Sequence, residues 1–416
     1  MPPAPPTGLS DVRFASLASA LAHAPAGEVG RFWDRVSRRG TPLLAAHPED
    51  PGRRLATFLW RAAAPLGGVH LSANRFTDKQ RHADGETAPI PGTDVWGLPL
   101  DLPAAVRFSY GFTPRPPGAP PRPAARPGEG PGTLLDPLNR SRPLRADGPL
   151  GLSVFAGDAA PPQPEWERAA PVPQAGRVHR GEVPVPGGGP RRVRLYAPAP
   201  SDAPAGLLVL FDGEVWFGDL HAPAALEAAA AAGRIPPFAV LGVENHGRAD
   251  RVARLGADPA FLHAVAEHLV PWAERRLAGD GVRLAGRERR VLCGQSLGGL
   301  SALFAAVQTP GAYGAVIAHS PSMWWRPGGT ATPSSLGAGG EPDWITRQIA
   351  ERPATGVRVR LDVGTREGPT VAHARTLAAA LRSRGYPHRL AVYEGGHDFA
   401  CWRGALLDGL AALSAP

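Results

Sequence analysis

The chain has 416 residues, of which 51 are glycine and 49 proline, and it carries a formal net charge of +8. The many helix-breaking residues exclude one long helical array, while 43 % hydrophobic and 20 % charged residues are typical of a globular protein. The charge does not indicate nucleic-acid binding, because Lys79 is the only lysine and the arginines are scattered. A basic surface would equally attract a small anionic substrate.

Two cysteines, Cys293 and Cys401, are too few for a disulfide framework, so we expect a reducing compartment. The N-terminus has no basic segment followed by an apolar run, and no stretch approaches about 18 uncharged apolar residues. We therefore expect a cytoplasmic protein that contacts no membrane and is a monomer or weak oligomer.

The N-terminal part is predicted to comprise a tail with one or two helices (1–40) and a small β-sandwich (41–156). Short apolar or alternating runs bounded by turn signals indicate the sandwich. They lie at 56–62, 68–74 and 104–112. The stretch 114–132, PRPPGAPPRPAARPGEGPG, is expected to be a disordered insertion, because proline lacks a backbone donor and glycine costs entropy.

A linker is predicted at 157–175 and an α/β domain at 176–416, where apolar strand-like runs alternate with helical periodicity. The predicted strands are 193–198, 206–213, 238–245, 289–296, 314–321, 357–364 and 389–396. The predicted helices are 222–233, 258–278, 298–308, 370–384 and 403–413. Nearly continuous apolar strands favour a doubly wound, mostly parallel sheet that helices cover on both faces.

The segment Gly294-Gln295-Ser296-Leu297-Gly298 lies between a predicted strand, RRVLC, and a predicted helix, GLSALFAAVQ. A G-x-S-x-G sequence in that setting is the nucleophile elbow of the α/β-hydrolase fold. We expect the glycines to relieve collisions with the neighbouring strand and helix, and Ser296 to be exposed at the helix N-terminus. The Leu297 N–H would then be one oxyanion donor. The alternative is a bystander serine in an ordinary strand-to-helix turn.

In this fold the nucleophile is followed along the chain by the acid and then the histidine. His397 follows the last predicted strand and is the predicted base. Two carboxylates compete for the acid: Asp362 lies inside a strand, whereas Glu367 follows it on a loop and is favoured. Asp398 is too close to His397 in sequence, and we expect it to stabilise the loop.

The second oxyanion donor should follow the strand GLLVLFDG, at the amides of Gly213 and Glu214, with Asp212 fixing the turn. His319 ends its strand and is a candidate to line the pocket. Four tryptophans near the strand ends favour a pocket for aromatic groups, although core burial is the alternative for each. They are Trp216, Trp324, Trp325 and Trp402. Arginines on the same side would together hold an anion. They are Arg251, Arg326, Arg366 and Arg403.

These residues resemble the enterochelin (enterobactin) esterases, cytoplasmic hydrolases that open ferric catecholate trilactone siderophores. In the α/β part, the matching segments are LLVLFDGEVWFGD (207–219), DRVARL (250–255), VLCGQSLGGLSALFAA (291–306), SPSMWW (320–325), LDVGTREG (361–368) and GGHDFACWRGAL (395–406). In the predicted sandwich they are TFLWR (57–61), GTDVW (92–96) and LLDPLN (134–139).

The resemblance implies an α/β-hydrolase domain preceded by the family's N-terminal β-sandwich. It implies that Ser296 is the nucleophile, His397 the base and Glu367 the acid, as the spacing also predicts. The residues it implies for substrate contact are Arg251, Trp324, Trp325 and Arg403.

The first hypothesis is therefore a serine esterase that cleaves catecholate siderophores through an acyl-enzyme. It needs no cofactor or bound metal, because iron would enter inside an anionic, aromatic substrate. The alternatives are a general carboxylesterase or acyltransferase of the feruloyl- or acetyl-ester type, and a non-catalytic module that sequesters a siderophore. The set of Ser296, Glu367 and His397 argues against the last.

Overall fold

The structure, a computed structural model, describes residues 9–25, 27–121, 132–145, 151–167, 175–186, 189–337 and 343–414. The chain divides into two compact units. The sandwich unit comprises Met1–Pro162 and Glu394–Ala400, and the α/β unit comprises Gln163–Tyr393 and Cys401–Pro416.

The sandwich unit begins with two helices and continues with two antiparallel sheets. Its elements are α1 (Leu9–Ala22), α2 (Glu28–Arg39), β1 (Leu43–Ala46), β2 (Arg53–Arg61), β3 (Gly68–Ala73), β4 (Ala88–Pro89), β5 (Val95–Pro103), β6 (Arg107–Arg115) and β7 (Ser153–Ala156). One sheet has the strand order β1-β2-β5-β4 and the other β3-β6-β7. The predicted β-sandwich is confirmed.

Aromatic side chains of both sheets form the core of the sandwich unit. Phe58 of β2 contacts Phe108 and Tyr110 of β6, with ring centroids 6.2 and 5.0 Å away. Phe108 in turn lies 5.0 Å from Phe155 of β7. A second cluster, which includes Phe14 and Trp33, packs α1 and α2 against the unit. The helices therefore belong to the fold of this unit.

The α/β unit is one eight-stranded sheet, flanked by helices. Its strands are β8 (Arg177–Val183), β9 (Arg191–Ala197), β10 (Gly206–Phe211), β11 (Phe238–Val243), β12 (Arg290–Gln295), β13 (Ala315–His319), β14 (Arg358–Gly364) and β15 (His388–Tyr393). Its helices are α3 (Pro164–Glu167), α4 (Gly213–Phe217), α5 (Ala222–Ala231), α6 (Arg248–Leu255), α7 (Pro259–Ala264), α8 (Val270–Gly279), α9 (Leu297–Gln308), α10 (Trp344–Ala350), α11 (Pro369–Ser383) and α12 (Phe399–Ser414), whose first two residues fall in the other unit.

The strand order is β15-β14-β13-β12-β10-β11-β9-β8. Strands β10 to β15 pair in parallel, while β8 and β9 pair antiparallel at one edge. The central strands β10 and β11 are buried along their whole length, as expected of a parallel sheet with both faces covered. The predicted α/β-hydrolase fold is confirmed.

Several sequence-based boundaries were wrong. Residues 114 and 115 end β6, because they pair with β3 and the Arg115 guanidinium binds Glu86 at 2.7 and 2.8 Å. The rest of the predicted insertion lies partly outside the described residues, which stop at 121 and resume at 132. The predicted linker 157–175 contains α3, and Trp166 of this helix is buried, with 2 % exposure.

The predicted helix 258–278 is divided into α7 and α8 by a π-helical turn, Val265–Leu269. Pro271 lies at the start of α8, and it has no N–H to donate to the preceding turn. The predicted strand 389–396 ends earlier, at Tyr393, so the loop that carries His397 is longer than expected. No helix in the part of the chain that the structure describes has the length and apolar character needed to span a membrane.

Candidate active site

Ser296 lies at the turn between β12 and α9. Its φ of 57° and ψ of −118° are unfavourable for a residue with a side chain, by about 1–3 kcal/mol. The Ser296 N–H donates to the carbonyl of His319 at 2.9 Å, and the Ser296 carbonyl accepts from the Ser322 N–H at 3.0 Å. Its Oγ lies 3.2 Å from Ser322 Oγ, and the residue is only half-buried. This is the strained, accessible conformation of a nucleophile elbow.

Gly294 is the position of the motif where a side chain cannot fit. A Cβ there would lie 2.4 Å from the carbonyl carbon of Gly298. At Gly298, by contrast, the nearest atom to a Cβ would be that of Phe211 at 3.4 Å, an ordinary contact. The expected collision at 298 was therefore wrong, and the steric requirement lies at 294.

The amides predicted as oxyanion donors both lie at helix starts. Among the described residues, the N–H of Leu297 has no backbone acceptor, since it is the first residue of α9. Gly213 begins α4, and a Cβ there would lie 2.6 Å from the carbonyl carbon of Gly242 in β11. Burial raises the pKa of Glu214, while the hydrogen bond from Asn245 acts in the opposite direction and lowers it. The oxyanion role of these amides stays a prediction.

Glu367 follows β14 and is buried, with 4 % exposure. Its Oε1 accepts hydrogen bonds from the Gly364 N–H at 2.8 Å and the Ser320 hydroxyl at 2.6 Å. Ser320 is itself held in a left-handed conformation (φ 44°) and accepts a hydrogen bond from Trp402 Nε1 at 2.9 Å. The Glu367 carboxylate is thus fixed at the carboxyl end of the sheet. Sequence reasoning missed Ser320, because nothing in its strand pattern marks the hydroxyl.

Asp362, the competing acid, lies inside β14 with 1 % exposure. Arg360 donates to it from Nε at 3.0 Å, with a second guanidinium nitrogen at 2.8 Å. His319 Nδ1 lies 3.2 Å from the same carboxylate, and this histidine is fully buried, with 0 % exposure. These contacts favour a structural role for Asp362. They also show that the placement of His319 at the pocket was wrong, because its strand position directs the ring into the core.

His397 lies between β15 and α12, in the segment that belongs to the sandwich unit. Its carbonyl accepts from Asn74 Nδ2 at 3.1 Å. Next to it, the buried Asp398 accepts from the Ser109 N–H at 2.5 Å, from the Ser109 hydroxyl at 2.8 Å and from the Ala400 N–H at 2.9 Å. Asp398 therefore stabilises the loop, as expected, and residues of β6 and of the turn after β3 contribute to its support.

Two of the predicted substrate contacts, Trp216 and Arg403, have buried side chains with partners inside the α/β unit, so their contact with substrate stays a prediction. Trp216 has 0 % exposure, and its Nε1 donates to Gln295 Oε1 at 3.3 Å. Arg403 has 3 % exposure, and its Nε donates to Gln163 at 2.7 Å while its guanidinium packs over Trp166. Both positions lie in core-facing turns of helices, which the sequence does not distinguish from pocket-facing ones.

Trp324 and Trp325 remain half-buried and line a cavity of about 400 Å³ in the α/β unit. Trp344 contributes a third ring, whose centroid lies 5.1 Å from that of Trp325, with an angle of 74° between the two ring planes. Arg326 and Arg347 also line this cavity. Along the chain, the first residue that lines the cavity is Met323, which follows Ser322, and the Ser322 hydroxyl lies 3.2 Å from that of Ser296. It offers flat aromatic rings and positive charge to a ligand.

Two family models match the chain: "Putative esterase" over residues 187–413 and "Enterochelin esterase, N-terminal" over residues 55–166. The chain is 39 % identical to an iron(III) salmochelin esterase of Escherichia coli O6:H1, over 96 % of this chain and 97 % of that protein. The chain belongs to the enterochelin esterase family. Its members are carboxylic ester hydrolases, and so is this protein.

A further relative and two solved structures are similar to the chain over most of its length. An iron(III) enterobactin esterase of Dickeya dadantii is 31 % identical over 98 % of this chain and 96 % of its own length. The crystal structure of the ferric enterobactin esterase from Salmonella typhimurium is 26 % identical, with a TM-score of 0.77 over 92 % of this chain and 98 % of that one. The Shigella flexneri enterobactin esterase, solved in the presence of enterobactin, is 25 % identical, with a TM-score of 0.73 over 90 % and 96 %.

Proposed function

We propose that the protein hydrolyses the ester bonds of ferric catecholate siderophores of the enterobactin type and so releases their iron. The observation that carries this proposal is Ser296, a strained and accessible serine between a buried strand and a buried helix. The 39 % identity to an iron(III) salmochelin esterase supports the choice of substrate class. Iron enters as part of the substrate, and the protein uses no cofactor of its own.

In the proposed reaction, the Ser296 hydroxyl attacks an ester carbonyl while His397 takes its proton and Glu367 orients the imidazole. His397 then protonates the departing alkoxide, and an acyl-enzyme remains on Ser296. Water, deprotonated by His397, releases the acid in the second half of the reaction. The fixed carboxylate of Glu367, which the Gly364 N–H and the Ser320 hydroxyl hold, supports this assignment over Asp362.

The negative charge on the carbonyl oxygen would be stabilised by the N–H groups of Leu297 and of Gly213 or Glu214. All three belong to the first residues of helices, where amides lack intrahelical acceptors. The positive end of the α9 dipole adds to the effect. Removing one such donor typically lowers kcat by about 10²- to 10³-fold.

We propose that the cavity next to Ser322 receives a catecholate group of the substrate. Trp324, Trp325 and Trp344 provide faces for an aromatic ring, and Arg326 provides positive charge for an anionic chelate. The formal charge of +8 would favour the encounter with such an anion. We further propose that the protein is cytoplasmic, a monomer or weak oligomer, and binds neither membranes nor nucleic acid.

The proposal is tested by mass spectrometry of products from ferric enterobactin, its linear trimer and its glucosylated form. We expect dihydroxybenzoyl-serine or its oligomers from at least one of them. A p-nitrophenyl ester, which is small and uncharged, serves as the matched reference substrate. If the enzyme hydrolyses that reference but none of the ferric catecholates, the substrate assignment is wrong while the esterase chemistry stands.

A further inference from the structure

The turn that precedes the candidate oxyanion donors is organised around one buried carboxylate. Asp212 has 3 % exposure and a left-handed backbone, with φ 59° and ψ 43°. It immediately precedes Gly213 and Glu214. A carboxylate so far from water needs strong partners, because burying an unpaired charge is very unfavourable.

Three side chains donate to this carboxylate, one from a helix, one from a strand and one from a loop. Arg251 of α6 binds it with two nitrogens, Nε to Oδ1 at 2.6 Å and a terminal nitrogen to Oδ2 at 2.8 Å. Asn245, which follows β11, donates from Nδ2 to Oδ1 at 2.6 Å. Gln295, the last residue of β12, donates from Nε2 to Oδ2.

Gln295 connects this cluster to the candidate nucleophile, since it is the residue before Ser296. The two strands are neighbours, with Leu210 paired to Cys293, so Asp212 and Gln295 follow at the same end of the sheet. Both polar atoms of the Gln295 side chain form hydrogen bonds: its Nε2 donates to Asp212, and its Oε1 accepts from Trp216 Nε1 at 3.3 Å. Asp212, the residue before the candidate oxyanion donors, thereby binds the side chain of the residue before the nucleophile.

Asn245 adds a second connection to the same turn. Besides binding Asp212, its Nδ2 donates to Glu214 Oε1 at 2.8 Å and its backbone N–H donates to Glu214 Oε2 at 3.1 Å. Both residues that flank Gly213 are thus tied to Asn245. Together with the bond from Gln295 to Asp212, these contacts connect the turn that carries the Gly213 amide to β12.

The positive charge of Arg251 compensates the negative charge of the buried Asp212 carboxylate. Arg251 is half-buried, and burial would lower its pKa, but the Asp212 carboxylate raises the pKa above its usual value. Without the guanidinium, a negative charge would remain buried close to the position where a second negative charge develops in the transition state. Lysine would supply the charge without the planar fork that binds both carboxylate oxygens.

We propose that Asp212, Gln295 and Arg251 form a positioning clamp that sets the distance between Ser296 and the amides of Gly213 and Glu214. In this clamp Arg251 binds Asp212 and also donates to the Gln295 carbonyl at 3.4 Å, so we assign it a positioning role in place of the predicted substrate contact. The inference rests on the proposed esterase chemistry at Ser296. It does not depend on which ester the enzyme prefers.

The test compares Arg251→Lys and Arg251→Met on two substrates, ferric enterobactin and an uncharged p-nitrophenyl ester. Because a 1 Å misplacement costs about 10²-fold, we expect kcat to fall about 10-fold in the lysine variant and about 100-fold in the methionine variant. KM should stay within about twofold, and both substrates should respond alike, because the clamp acts on a step they share. Affinity for an aryl boronic acid, which mimics the tetrahedral intermediate, should fall in parallel with kcat.

Arg254→Met is the matched control. It removes the same charge from the same helix, but Arg254 binds Asp258 at 2.9 Å instead of Asp212. We expect its kinetics to match those of the wild type. The double variant Asp212→Asn/Arg251→Met removes both charges and should recover part of the kcat that Arg251→Met loses, as in a coupled pair.

Two results would overturn the clamp. One is a rise in KM for the ferric siderophore alone, with kcat on the neutral ester unchanged, because that is the signature of a direct substrate contact. The other is an unchanged boronate affinity in a folded Arg251→Lys enzyme. If the wild type does not hydrolyse ferric enterobactin, the neutral-ester and boronate measurements still decide the question.

Discussion

The elbow that carries Ser296 and the loop that carries His397 are held in place by different means. The elbow is shaped by nearby positions: Gly294 leaves no space for a side chain, and α9 starts directly after the serine. The histidine loop is held by Asp398, whose partner Ser109 is 289 positions away in sequence. The first arrangement follows from local sterics, and the second from a contact that only the folded sandwich unit provides.

The elbow therefore depends on the local sequence, whereas the histidine loop depends on residues far away in the chain. A G-x-S-x-G motif can be recognised anywhere the flanking strand and helix are present. The support of the histidine loop depends on β6 and on the turn after β3. Substitutions in the two regions should therefore have effects of different kind: steric at the elbow, and on the stability of the loop at His397.

Among the residues that support Ser296, the largest effect is expected at the acid. Glu367→Gln should lower kcat by about 10³- to 10⁴-fold, as for other triad acids, with little change in thermal stability. The matched variant Asp362→Asn should behave in the opposite way. It leaves the buried Arg360 without its carboxylate, which should destabilise the fold by about 3 kcal/mol and spare the kcat of the folded enzyme. Kinetics with thermal unfolding of both variants checks this, and the reverse pattern would make Asp362 the acid.

A smaller loss of kcat is expected when a side chain is introduced at Gly294 in the elbow. In Gly294→Ala the new methyl group would lie 2.4 Å from the carbonyl carbon of Gly298, so the backbone must shift. A displacement of about 1 Å at the nucleophile costs about 10²-fold in rate. Gly279→Ala is the control, since nothing lies within 4 Å of a Cβ there. Equal kcat values for the two variants would contradict the steric account of the elbow.

The smallest of these effects is expected at the histidine loop. Asp398→Asn removes one of the acceptors that bind Ser109 and Ala400, and we expect kcat to fall about 10-fold, in line with the loss of one charged hydrogen bond. Faster hydrogen exchange of a peptide spanning 394–400 should accompany the loss. The control Asp158→Asn removes an exposed carboxylate of the same unit, which binds Arg54. If Asp398→Asn matches this control in both measurements, the contacts of Asp398 do not stabilise the histidine loop.

Much of the α/β unit could be predicted from the sequence, because strands buried on both faces leave long apolar runs. The runs at 206–213, 238–245 and 289–296 each contain an observed strand, and the elbow follows the third. β8 was missed because it is an edge strand with four charged residues in seven positions counting His179, and its pairing with β9 decides its conformation.

The site was less predictable where residues act through others. The position of Glu367 follows from chain order, but the hydroxyl of Ser320 that binds it leaves no periodic signal. Trp216 and Arg403 lie on helices at the correct end of the sheet, yet face the core. A single sequence gives the element on which a residue lies, whereas the direction of its side chain depends on packing between elements far apart in the chain.

The measurement that tests the central claim most directly is product formation from ferric enterobactin by the wild type and Ser296→Ala, together with active-site labelling by a fluorophosphonate. We predict dihydroxybenzoyl-serine products and a single adduct on Ser296 in the wild type. In Ser296→Ala we predict no adduct, turnover lower by about 10⁴-fold or more, and retained binding of the substrate. Ser301→Ala, at a buried serine of α9, the helix that follows Ser296, is the control. Near-normal turnover by Ser296→Ala, or an adduct at another residue, would contradict the account.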